Sequence, residues 1–188
     1  MVSPTIKFFA VILIVSFLIT GAAAGAEKAI ESYTATVANM PGVGSKPYQI
    51  KIQITGYTPE DDVTKLAQVL RSSGQDALKK ALDSYHLGTL APYGKMGNDL
   101  NYVREIKTEK GRTLRMISNR DMDFFELKYN GRSTDFPFSM VELTISKDGK
   151  MEGRIIAAAR IQITKENTLD VEALGMQPMY LVSLRKTD

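Results

Sequence analysis

The chain has 188 residues, with 24 lysines and arginines, 21 acids, a net charge of +3, one histidine and no cysteine. Thiolate catalysis, zinc–cysteine sites and haem attachment through C-x-x-C-H are excluded by composition, as is any site needing two histidines from this chain. Basic and acidic residues are interspersed, with neither a polybasic run nor an acidic tail, so nucleic acid is not an implied partner.

Residues 1–26 have the three-part plan of a secretory signal peptide. Lys7 supplies the positive start, FFAVILIVSFLIT is an apolar run of 13 residues, and GAAAGA places Ala24 and Ala26 at small-residue cleavage positions. The run is shorter than the ~20 apolar residues that span a bilayer. The expectation is export to the periplasm or the exterior, leaving a single domain over 27–188. A chain near that size buries roughly 68–70% of its unfolded surface, enough for a core that needs no disulfide. No apolar stretch in 27–188 is long enough to cross a membrane.

Residues 27–32 read as a flexible lead-in. In 32–38, Tyr33, Ala35 and Val37 share one face of a short strand, and NMPGVGSKP follows as a loop. YQIKIQIT (48–55) alternates strictly, with Tyr48, Ile50, Ile52 and Ile54 on one side and Gln49, Lys51, Gln53 and Thr55 on the other. Period two with one polar face predicts a strand buried on one side and wet on the other.

A helix is predicted next. Thr58 stands at the cap, Pro59 at the first helical position, and Glu60, Asp61 and Asp62 at the positive end of the dipole. Val63, Leu66, Ala67 and Leu70 form an apolar stripe, interrupted by Ser72, Ser73 and Gly74, and Leu78, Ala81, Leu82 and Tyr85 form a second. The expectation is a helical hairpin or one kinked helix, with both stripes facing one sheet. DSYHLGTLAPYGKMGNDL (83–100) then reads as a helix exit and a long connector. His86 would satisfy free carbonyls in the last turn, and Tyr93, Gly94, Met96 and Gly97 would form a flap.

Seven strands are expected from there, at 100–108, 112–119, 121–129, 133–146, 151–164, 169–174 and 179–185. Most links are short, and Asn130-Gly131 is a strong hairpin signal, so neighbours should be antiparallel. MEGRIIAAARIQIT would extend ~46 Å if straight, so it should coil or carry a bulge. Read as one regular strand, it puts Gly153, Ile155, Ala157, Ala159, Ile161 and Ile163 on one face.

These elements predict an α+β fold: a strongly curved, barrel-like antiparallel sheet of about eight or nine strands packed on an inserted helical pair. The small inward residues Gly153, Ala157 and Ala159, with Tyr93 and Met96, are the candidate ligand-binding residues. The helical pair is the expected filler of the space over them.

Catalytic candidates are weaker. His86 has no G-x-S-x-G partner. Asp121 and Asp123 share a strand face but lack EF-hand spacing. Glu126 and Glu142 are a glycosidase-type pair only if their strands pair in register. Phe124, Phe125, Phe136 and Phe138, with Tyr129, read as core, and Arg104, Arg115, Arg154 and Arg160 as a solvated outer face. No cofactor or metal is implied. Three functions are compatible with this pattern. One is an exported non-enzymatic module holding an apolar or amphipathic ligand between sheet and helices. Another is an envelope protein-interaction module using a strand edge. The third is a hydrolase with an unrecognised site.

Overall fold

The computed structural model describes residues 28–38, 48–119, 135–175 and 177–187. The signal peptide, the strand over 121–129, Asp121, Asp123, Phe124, Phe125, Glu126 and Tyr129 lie outside the described residues. The elements in chain order are β1 (Glu31–Ala38), β2 (Tyr48–Ile54), α1 (Glu60–Leu82), β3 (Gly88–Pro92), β4 (Asn98–Asp99), β5 (Tyr102–Thr108), β6 (Gly111–Ser118), β7 (Phe138–Ser146), β8 (Met151–Ile163), β9 (Leu169–Leu174) and β10 (Met179–Lys186). The fold is α+β, with one antiparallel sheet in the order β4-β3-β2-β1-β10-β8-β7-β6-β5 and β9 beside β8.

The sheet is strongly curled, because its two terminal strands are consecutive in the chain. Only Leu100 and Asn101 separate β4 from β5. The Leu100 amide donates to Gly88 O at 2.9 Å on the β3 side, while the Asn101 amide donates to Ile117 O at 2.8 Å on the β6 side. Thr58 adds a second tie. Its amide donates to Val103 O at 2.8 Å, and its hydroxyl accepts from the Val103 amide at 3.0 Å. The hydroxyl expected to cap the helix is therefore spent on the sheet, and Pro59 takes the cap position with no side-chain capping bond.

Two cores lie on opposite faces of this sheet. The concave side holds Tyr33, Ile50, Ile52, Ile54, Leu90, Leu114 and Met116, all fully buried. The convex side of β5–β9 holds Tyr102, Ile117, Phe138, Met140 and Ile161 against Val63, Leu66, Leu70, Leu78 and Leu82 of α1. The helix thus sits outside the curl, and strand side chains fill the interior. The two stripes belong to one helical element, bent at Gly74 (φ 80°, ψ −169°): the kinked helix of the two expected alternatives, not a separate helical pair.

The longest strand does carry a bulge. Met140 stands opposite Ile156 but Phe138 stands opposite Ala159, so β8 gains one residue. An extra residue exchanges the faces beyond it. Gly153 and Ala157 therefore do not share a face with Ala159: Ala157 joins the inner core, whereas Ala159 and Ile161 lie under α1. The expected long connector also holds structure. β3 pairs with β2 from Gly88 to Pro92, and β4 returns beside it. Among the described residues no helix is long and apolar enough to cross a membrane.

Candidate functional site

Where α1 does not reach, no other described element covers the convex face. On β1 the outward residues are Ser32, Thr34 and Thr36; they stand opposite Gln53, Lys51 and Gln49 of β2. On β10, Arg185 stands opposite Thr34 and Val182 opposite Thr36. Between those two pairs β10 holds one residue too many, and Ser183 sits there at φ 52°. A non-glycine residue in that region is uncommon, and bulges of this kind re-aim neighbouring side chains.

The bulge forms one wall of a groove of about 470 Å³, lined by Thr34, Ala35, Thr36, Gln49, Ile50, Tyr93, Ser183 and Arg185. That size lies within the ~300–1,000 Å³ typical of ligand clefts. Tyr93 hangs over it from the β3–β4 turn with 69% of its surface exposed. The Arg185 Nε donates to Thr34 Oγ1 at 3.2 Å. Neither Arg185 nor Lys51 has a carboxylate partner among the described residues, and no acid points outward from β1, β2 or β10. By contrast Arg104, Arg112, Arg115, Arg154 and Arg160 each hold a carboxylate at 2.6–3.4 Å. Four of these five are the expected outer-face arginines, and their ion pairs neutralise the stripe they would have made.

A second polar cluster lies inside one end of the curl. Glu31, expected in a flexible lead-in, is buried at the start of β1. Arg112 of β6 grips its carboxylate in a fork, with Nη1–Oε1 at 2.9 Å and Nη2–Oε2 at 2.7 Å. The hydroxyls of Tyr33 and Tyr57 donate to the same carboxylate. Lys186 of β10 lies 3.5 Å away, and Glu105 of β5 shares Arg112 at 2.9 Å.

Burial pushes the Glu31 carboxyl up, but the bonds from Arg112, Tyr33 and Tyr57 and the Arg112 charge outweigh it and bring the pKa down to about 2. Burial, and then the bond to Glu31, raises both tyrosine hydroxyls above their ordinary range. Near neutral pH the carboxylate stays ionised and both phenols stay protonated. Held by these bonds, the cluster clamps β1 to β5 and β6 across the interior.

The sequence candidates fall as follows. Tyr93 lines the groove, while Met96 is 95% exposed on the same turn. Gly153 has no free volume on its inner side, since a Cβ there would lie 2.8 Å from Leu143 Cδ2 and 2.9 Å from Leu181 Cδ1. His86 does not cap the helix. Asn101 Nδ2 donates to Tyr85 O at 2.8 Å, and His86 Nδ1 meets Asp99 Oδ2 at 3.1 Å on the surface. The nearest serine, Ser84, bonds the Ala81 carbonyl.

Thr34, Thr36 and Gln49 were legible as the polar half of an alternating pattern. Ser183 and Arg185 were not, because nothing local says that the last strand lies beside the first. No known family model, curated protein or solved structure matches this chain.

Proposed function

We propose that this chain is an exported, non-enzymatic binding module that takes a polar, extended ligand along the groove on β2, β1 and β10. The observation that carries it is that groove: a sheet face with an overhanging tyrosine and a guanidinium that, among the described residues, no carboxylate neutralises. A strained residue at its wall adds weight, since such conformations cluster at binding sites.

The geometry gives less support to the other readings. A ligand between sheet and helix would have to displace Leu66, Leu78 and Leu82, which are buried against Ile161 and Phe138. Addition of a strand at β9 meets an edge already occupied. The Leu169 carbonyl accepts from Arg115, the Val171 carbonyl from Gln162, and the Val171 amide donates to Asp170. Side chains that consume an edge in this way deter strand addition.

Co-sedimentation of the purified protein with cell-envelope fragments tests the proposal. Wild type is expected in the pellet, and Thr36→Trp, which fills the groove from an outward position, in the supernatant. Wild type that stays in the supernatant refutes it, as does a Thr36→Trp variant that pellets equally.

A further inference from the structure

We infer that the groove's ligand is a carboxylate-bearing glycan, an inference that rests on the binding reading above. The polar residues of the lining suit a polyhydroxylated chain. Thr34, Thr36 and Ser183 carry hydroxyls that both donate and accept, and Gln49 carries an amide that does the same. A ring hydroxyl also donates and accepts, so either polarity of contact is met. Tyr93 offers an exposed aromatic surface with a polar tip, suited to the apolar C–H face of a pyranose beside its hydroxyls.

Arg185 decides the charge. Its Nε is held by Thr34, which fixes the plane of the guanidinium at the groove. A guanidinium fork binds a carboxylate in a planar, two-bonded geometry. Lys51 stands opposite Thr34 on the same face and adds positive potential, with no acid beside it on β1 or β10 to oppose an anion.

An acidic peptide would satisfy the charge but not the rest. Peptides are read by a free strand edge, an apolar groove for a helix, or an aromatic slot for a polyproline segment. Here β1 is paired on both sides, by β2 and by β10, and β2 by β1 and by β3; β10 is paired with β8 only at Met179–Leu181, so the polyglutamate probe tests the rest of its edge. The groove is lined by hydroxyl, amide and guanidinium groups with one ring, beside Ala35 and Ile50.

The test is calorimetric titration and amide chemical-shift mapping of the purified protein. The probes are a short oligogalacturonate, a muramic-acid-containing wall glycan, the methyl ester of the oligogalacturonate, a neutral glucan and a short polyglutamate. The first two carry the same group from different sources. At least one of them should bind and shift the amides of Thr34, Thr36 and Gln49. Esterification should weaken binding about tenfold, and Arg185→Gln should weaken the acid by about the same factor while removing the gap between acid and ester. Tyr93→Ala should weaken acid and ester alike. Both variants replace exposed side chains, and an unchanged thermal midpoint shows that they fold.

Silence from both acidic glycans overturns the inference, as does equal binding of acid and ester, or polyglutamate binding as well as the glycans. If the neutral glucan shifts the groove amides and the acids do not, the ligand class falls and the binding reading stands. If no probe shifts them and envelope fragments also fail to bind, both fall.

Discussion

Glu31 shows how much a single side chain decides at one end of this sheet. An ionised carboxylate is tolerated in an interior only when partners replace its water. Two phenols and a guanidinium fork do so here, with Lys186 and Glu105 completing the charge balance. Unfolded, the carboxyl titrates near 4.5; folded, near 2. The folded value is the lower one, so the stabilisation is complete above pH 4.5 and is lost as pH falls toward 2. A shift of this size corresponds to on the order of 3 kcal/mol. Urea unfolding of Glu31→Gln should therefore show a loss on that order at neutral pH, and a shallower decline than wild type as the pH is lowered to about 2. An unchanged acid slope would mean that the clamp is not ionic. From the sequence this residue was read as part of a loose lead-in, since an acid in a short polar stretch carries no local mark of burial. Its partners lie up to 155 residues away along the chain.

At the scale of elements, α1 follows the convex sheet because it bends at Gly74. The backbone there is a conformation that only glycine adopts readily, and a Cβ would meet nothing within 4 Å. The cost of Gly74→Ala is therefore conformational, about 1–3 kcal/mol, and should appear as a lowered thermal midpoint without new clashes. The next residue seals the sheet. Beyond its pairing with β7, β8 presents the Ile161 amide and carbonyl, and the Gln75 side chain bonds both, at 3.1 and 2.7 Å. Gln75→Ala should cost about 1–3 kcal/mol and speed hydrogen exchange at the Ile161 amide. Protection unchanged at that amide would show that another group takes over.

Legibility varied between elements for a physical reason. β2 was plain, because a strand with one wet face must alternate. The two stripes of α1 were plain for the same kind of reason. β3 was hidden, because Gly88, Pro92 and a length of five residues look like a connector. The faces of β8 were misassigned after Ala157, because a bulge leaves no reliable residue signature yet exchanges everything beyond it.

On the scale of the whole molecule, the first strand and the last are neighbours, with Tyr33 opposite Lys186 and Val37 opposite Leu181. Curling is completed only when the end of the chain arrives, and both the groove and the clamp take residues from it. Removing residues 177–188 deprives β1 and β8 of their shared neighbour and Glu31 of Lys186. The truncated protein should lose its near-ultraviolet dichroism and its cooperative unfolding transition. Retention of both would show that the remaining strands form a stable core alone. Pairings this far apart in sequence also predict refolding of the full chain on the slow side, about milliseconds to seconds, by stopped flow.

What the sequence determined by itself was local: which segments alternate, where the apolar stripes of the helix fall, that neighbouring strands run antiparallel, and which chemistries are absent for want of cysteine and histidine. Each follows from a period of a few residues or from composition. The tertiary structure decided which face the helix covers, where Ala159 points, that Glu31 is buried and paired, and that Thr34, Gln49, Tyr93 and Arg185 meet around one groove. Those facts depend on register and strand order, set by the summed packing of both cores against the curl of the sheet and written in no single stretch of residues.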